Sequence, residues 1–354
     1  MKKMLNLIRC INISNMKTIA IVFFLFITLK SFGNEILIKT EHDSIKVYVQ
    51  NALNIIKKRA VNSSKMNWDE IYFDAEQKTD KVKTIRETYP IIKEVLGKLG
   101  DSHSKFFPPE TVEAYVKGYR ATGQPFPEIK AKILENCYAY ISLPTFYSYN
   151  MSEWSEFVND FRSALAKLAT EKPKGWILDL RDNEGGMFAP MFAAISPLID
   201  QPNAIGWVDG NKKNIFFNFK DDKLFENKKA VYLIKLNPQK IKIKNPNLAV
   251  LINEKTASSG EFAAISFAGQ KNATIIGNKT NGLTSANQEH KLSDGAFLVL
   301  TEGITIDRNL KRYEKLGEGL MGDVKVGQLT GNEEKDTELF LEKAYKVLDK
   351  QIEH

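Results

Sequence analysis

The sequence predicts an α/β protein in which a small N-terminal helical domain precedes a core of helices packed on a sheet. Three observations carry this. Apolar residues between Asp43 and Gly100 recur at helical spacing. Beyond the Gly/Pro-bearing stretch from Gly118 to Pro127, strand and helix signals alternate. Finally, the continuous apolar run Leu248 to Ile252 is followed by small residues and then by a further helical stretch.

The first segment stands apart from the fold. Thr18 to Leu29 (TIAIVFFLFITL) is an uncharged apolar run of twelve residues, preceded by lysines and followed by polar residues. It is too short to span a bilayer as a helix and has the length of a signal-peptide core. Ser31 and Gly33 offer small residues for cleavage, so residues 1–33 read as a signal peptide, with an uncleaved anchor as the alternative. This places the protein outside the cytoplasm, periplasmic or secreted, with no stable membrane insertion after cleavage. Residues 1–33 hold Lys2, Lys3, Arg9, Lys17 and Lys30 and no acid, so without them the formal charge falls from +7 to +2. The basic balance belongs largely to the export segment, and a nucleic-acid partner loses its main support. Of the two cysteines, Cys10 lies in that segment and Cys137 is left without a partner, so no internal disulfide is expected.

In the helical domain, residues 34–120, Ile45, Tyr48, Val49, Ala52 and Ile56 share one helix face. Val82, Ile85, Tyr89 and Ile92 mark a second helix, with Pro90 a possible kink. The core, residues 125–330, opens with the strand Cys137 to Leu143 and the helical stripe Trp154, Phe157, Val158, Phe161, Leu165 and Leu168. The strand Trp176 to Leu180 follows. A lysine- and asparagine-rich insertion from Gly206 to Lys244 holds short β-prone pieces such as Ile215 to Phe219, and its lysine run reads as a solvated face in preference to a binding patch. Ala273 to Gly277 and Ala296 to Thr301 are further strand pieces, and residues 331–354 form a final helix with Phe340, Leu341, Ala344, Val347 and Leu348 on one face.

Three stretches carry chemistry. His103 lies in a polar turn, Leu99 to Pro109 (LGDSHSKFFPP), and His290 is the other histidine away from the chain ends. A loop histidine is a candidate base at neutral pH, or it merely hydrogen-bonds its own loop. Ser258 lies in Asn253 to Phe262 (NEKTASSGEF), where a buried strand turns into a helix. It reads equally as a nucleophile beside free amides and as a capping box with Glu261. Asp179 to Met187 (DLRDNEGGM) closes the strand Trp176 to Leu180. Its paired glycines leave backbone amides open to an oxyanion or simply make a turn, with Asp179 and Arg181 as a structural pair.

Together and in this order these stretches, followed by Gly277 to Gly282 (GNKTNG) and Leu292 to Gly295 (LSDG), resemble the S41 serine peptidases over about residues 95–330. The resemblance implies a ClpP/crotonase-like β-α superhelix core. It implies Ser258 as nucleophile, with the amides of Gly185, Gly186 and Ser259 as oxyanion donors. The tail-processing branch carries its lysine base twenty-five residues after the serine, where this chain has Leu283. The tricorn-core branch uses a serine-histidine pair, which Ser102 and His103 match, together with a late glutamate, for which Glu318 is the candidate. Lys279 is a weaker alternative base. Only about thirty residues separate Ser104 from Asn136, below the ~50 residues of a small domain, so no PDZ domain is expected.

The expected activity is hydrolysis of a peptide bond in a peptide or protein substrate, with neither metal nor organic cofactor. A non-catalytic ligand-binding protein on the same fold is the alternative. A scaffold acting through the helical domain has no sequence feature of its own in support. N-terminal sequencing of the native protein is expected to start near Asn34, and an intact Met1 or Met16 would overturn the export reading.

Overall fold

The computed structural model describes residues 41–237, 241–315 and 317–353. The apolar run of residues 18–29 and Cys10 lie outside the described residues, and Cys137 is a free cysteine. The N-terminal region comprises α1 (Glu41–Arg59), α2 (Trp68–Thr79) and α3 (Tyr89–Lys98). Asn67 caps α2 by accepting from the amide of Glu70. Pro90 does not kink a longer helix: it occupies the first turn of α3, where its missing N–H costs no hydrogen bond.

The chain continues through β1 (Lys105–Phe107), α4 (Pro109–Thr122), β2 (Ala131–Leu134), β3 (Tyr138–Ser142), α5 (Met151–Thr170), β4 (Gly175–Asp179) and α6 (Phe188–Ile195). Four strands of the insertion follow: β5 (Ile205–Val208), β6 (Asn214–Lys220), β7 (Lys223–Glu226) and β8 (Lys229–Leu233). Then come β9 (Leu248–Leu251), α7 (Ser259–Ile265), β10 (Ala273–Ile276), β11 (Ser285–Lys291), β12 (Phe297–Asp307), β13 (Arg312–Tyr313) and α8 (Glu333–Ile352).

These strands make two sheets. One has the order β10-β9-β4-β3-β2, parallel except for its β2 edge. The other, eight-stranded and antiparallel, runs β1-β12-β5-β6-β7-β8, with β11 and β13 also paired to β12. Helix α5 buries Trp154, Phe157, Val158, Phe161 and Leu165 against the first sheet, and α6 and α7 join the same core. On its other face Phe340, Ala344 and Leu348 of α8 meet Ile177, Ala249 and Leu251. Burying each such aliphatic or aromatic side chain contributes about 1.5–3 kcal/mol before entropy is counted. Asp179 and Arg181 pair at 2.7 Å, and the guanidinium reaches Thr337 and lies over the Phe340 ring, so they fasten α8 to the end of β4.

The helical region shares its core with the second sheet. Leu53, Ile56, Ile92 and Val95 pack with Phe106, Leu298 and Leu300. The described residues from 45 onward fall in one compact unit. Between Ser104 and Asn136 the chain forms β1, α4 and β2 in place of a PDZ domain.

Helix α4 bends at Gly118, whose φ of 80° requires glycine. The buried Glu153 carboxylate fills that bend, accepting from the amides of Tyr119 at 3.0 Å and Arg120 at 2.9 Å. A β-carbon on Gly118 would lie 2.2 Å from Glu153 Oε2, whereas one on Gly97 meets nothing within 4 Å. Gly118→Ala is expected to lower the unfolding free energy by about 1–3 kcal/mol. Gly97→Ala is expected to raise it by about 0.5–1 kcal/mol. Urea unfolding of both variants checks the pair, and equal midpoints would contradict it.

Candidate active site

The interior parallel strand β9, between β10 and β4, is wholly buried, and the chain leaving it is tied at once. Asn253 Oδ1 accepts from the amide of Lys255, while the Thr256 hydroxyl donates to the carbonyl of Leu180 at 2.8 Å. Ser258 then adopts φ 51° and ψ −120°, a conformation L-residues avoid. Its amide donates to Glu261 Oε2 at 3.0 Å. Glu261 is completely buried and also accepts from the Thr280 hydroxyl and from the amides of Gly282 and Leu283. Burial pushes its carboxyl pKa up, and those hydrogen bonds work against the rise.

The glycine turn after β4 packs on the serine turn. Asn183 directs its Nδ2 to the carbonyl of Leu143 at 2.8 Å, and its own carbonyl accepts from the amide of Ala257 at 2.9 Å. A β-carbon on Gly185 (φ 100°) would stand 2.8 Å from both Ala257 O and Ser258 Cβ. Ser259 Oγ donates to the carbonyl of Gly186 at 2.6 Å. The three amides expected to face an oxyanion are not equivalent. That of Gly185 is engaged by Asn183 Oδ1 at 2.9 Å, whereas those of Gly186 and Ser259 have no acceptor among the described residues.

His103 reaches Ser258 from the other sheet. Its turn precedes β1, and Asp101 Oδ1 accepts from the amides of His103 and Ser104. Asn287 Nδ2 donates to the His103 carbonyl at 3.1 Å, so the backbone is pinned on both sides. The ring is buried, with Nε2 2.9 Å from Ser258 Oγ and Nδ1 2.8 Å from Ser285 Oγ. Burial, aided by the charge of Lys105, pushes its pKa down to about 4, against the opposing effects of Asp101 and the contact with Ser285.

Other residues picked from the sequence lie elsewhere. Ser102 is exposed, and the hydroxyl against the ring belongs to Ser285. Glu318 is exposed in a loop and pairs with Lys315 at 3.6 Å, so no carboxylate of its own reaches His103. Lys279 donates to the carbonyl of Gly317 at 2.7 Å. His290 pairs with Glu302. No signal at the level of residue type marks Ser285, because its position depends on how β11 pairs with β12.

Ser258 and His103 open onto a cleft of about 300 Å³ lined by Tyr115, Tyr147, Tyr149, Phe188 and Phe262. Phe217, Leu224, Glu226 and Tyr232 of the insertion line it too, which brings the β-prone part of that segment to the cleft. No cluster of three or more metal-ligating side chains occurs among the described residues, and none of their helices is long and apolar enough to cross a membrane.

The pattern of peptidase family S41 matches residues 137–326. The chain is 29% identical over 272 residues to the nisin-resistance protein of Lactococcus lactis subsp. lactis, covering 75% of this chain and 79% of that protein. It is 26% identical over 254 residues to a carboxy-terminal-processing protease of Bartonella bacilliformis, covering 62% of this chain but only 54% of that one. Among solved structures, a lipoprotein from Streptococcus agalactiae superposes with a TM-score of 0.68 at 24% identity, over 84% of this chain and 96% of that one. The photosystem II D1 C-terminal processing protease does so with a TM-score of 0.55 at 15% identity, over 86% and 99%. These two likenesses show a shared fold.

Because the folded pKa of His103 lies near 4 and an unfolded histidine titrates near 6.5, only the unfolded chain binds that proton between the two values. Stability should therefore fall as the pH drops through that window. The urea midpoint of the wild type is expected to fall more between pH 7 and 4.5 than that of His103→Gln. Parallel profiles would contradict the depressed pKa.

Proposed function

Because the chain belongs to peptidase family S41, a family of serine-type peptidases, we propose that it cleaves peptide bonds through an acyl-enzyme on Ser258, with His103 as general base. The observation that supports this reading is the 2.9 Å contact between His103 Nε2 and Ser258 Oγ. A general base must come within hydrogen-bond reach of its proton, so the contact favours the enzyme over a ligand-binding protein on the same fold. It also favours the Ser/His branch, since Leu283 has no proton to exchange and Lys279 is turned to a carbonyl.

In the first step Nε2 takes the Ser258 hydroxyl proton as Oγ adds to the substrate carbonyl carbon. The carbonyl oxygen becomes an oxyanion, for which the amides of Gly186 and Ser259 are the available donors. Nε2 returns the proton to the amine nitrogen, the C–N bond breaks, and water, activated by the same nitrogen, releases the acyl group. Burial and then the charge of Lys105 disfavour the imidazolium, so with a pKa pushed down to about 4 His103 is neutral at pH 7 yet a weak base. The apolar run of residues 18–29 supports export of this activity, and the +2 charge of the remainder supports a peptide or protein substrate over a nucleic acid.

A neutral base is required, so kcat/KM should rise as the pH increases through about 4 and stay level from pH 6 to 8. A lysine base would instead give a rise on the alkaline side. Ser258→Ala and His103→Ala should each lower kcat by roughly 10⁴-fold or more, and the double variant should be scarcely worse. Lys279→Ala should change little. Turnover that survives His103→Ala and is lost in Lys279→Ala would reverse the assignment.

A further inference from the structure

We propose that Ser285 is the third member of the site, a positioning residue whose hydroxyl oxygen accepts the Nδ1–H of His103 and fixes the tautomer that leaves Nε2 free to accept from Ser258. The inference rests on His103 as the base and names the group that orients it. It follows from the direction of a chain of hydrogen bonds. Asn287 Nδ2 donates to the His103 carbonyl at 3.1 Å, which fixes the amide and leaves its Oδ1 as an acceptor. The Thr301 hydroxyl has Asn287 Oδ1 at 3.1 Å and Asp101 Oδ1 at 3.4 Å, and neither oxygen can donate. The single Thr301 proton therefore points to these acceptors, chiefly to the nearer Asn287 Oδ1, which leaves the Thr301 oxygen to accept from Ser285 Oγ at 3.3 Å. With its proton spent on Thr301, the Ser285 oxygen presents a lone pair to His103 Nδ1 at 2.8 Å, so that nitrogen carries the proton.

The strand pairing supports the same arrangement. Ser285 opens β11, and the register between β11 and β12 shifts between Ala286 and Asn287. A bulge of this kind re-aims side chains next to a site. Here Ser285, Asn287 and Thr301 converge behind one imidazole, and Ser285 and Thr301 are almost wholly buried. Where a carboxylate would both orient the ring and offset its charge, a hydroxyl only orients it. The charged groups around the ring are Asp101 on its own turn, Lys105 on β1, and Glu184, Glu226 and Glu289 on the cleft wall.

The test uses the full chain, with a peptide substrate for kinetics and ¹⁵N-histidine labelling for ring spectra. The wild type should show His103 as a single Nδ1–H tautomer at pH 7. Ser285→Ala should lower kcat by about tenfold or more at nearly constant KM and admit the Nε2–H tautomer, in which Nε2 cannot accept. Ser285→Thr keeps the hydroxyl and should restore both readouts. Retention of the Nδ1–H tautomer and of kcat within about twofold in Ser285→Ala would overturn the inference. If that happens while His103→Ala is inactive, the base assignment stands and only the role of Ser285 fails. Turnover that survives His103→Ala would instead remove the reading on which the role depends.

Discussion

The backbone of Ser258 at φ 51° and ψ −120° is a conformation that costs about 1–3 kcal/mol and persists only where its surroundings over-determine it. Here they do. The Ser258 amide is held by Glu261, and that of Ala257 by the Asn183 carbonyl. Gly185 and Gly260 lie where a β-carbon would come within 2.8 Å of Ala257 O and 2.4 Å of Asn183 O. Gly185 after β4 and Gly260 in α7 thus serve the close contact between the two turns. Relaxing the turn would move Oγ off Nε2, so the chemistry of the site depends on a local strain that the neighbouring chain maintains.

The electrostatics of the site are set first by burial of the imidazole. Taking an imidazole out of water disfavours its protonated form, and Lys105 adds repulsion. The surrounding polar groups are mostly hydroxyls and amides, which orient the ring without supplying an opposite charge. Asp101 is the carboxylate of the network, and it is spent on backbone amides and on Ser104. An imidazole held in this way stays neutral at neutral pH, so under the proposed mechanism its protonated form would be compensated by the oxyanion that forms with it.

The alternation of strand and helix, the stripe on α5 and the face of α1 were legible because hydrophobic period reports burial directly. Pro90 misled, since a proline inside an apolar pattern marks a helix start as readily as a kink. Ser258, His103 and the glycine pair could be picked out as residues of the right type on loops after strands or helices. Three things could not. Residue order does not tell which glycine amide is taken by Asn183. Nor does it tell that the loop of Glu318 is held at the surface, or that a register shift in β11 turns Ser285 toward a histidine 182 residues away. The Gly206 to Lys244 insertion was legible as polar, but its role in the cleft depends on β6 to β8 extending the second sheet past the site.

The two halves of the site belong to different sheets, and this raises the question of what keeps them in register. Ser258 stands at the end of β9 in the parallel sheet, while His103 enters through β1 and is backed by β11 of the antiparallel one. A displacement of about 1 Å between the sheets would cost the 2.9 Å contact and with it the alignment of the pair. Glu261 bridges the gap. One side of its carboxylate holds the Ser258 amide, and both its oxygens hold amides at Gly282 and Leu283, immediately before β11 begins at Ser285. The residue that reads in the sequence as a helix cap is therefore also the tie between the Ser258 turn and the strand that backs His103. Its complete burial serves the same end, because a carboxylate shared between two segments holds them best where water cannot compete for it.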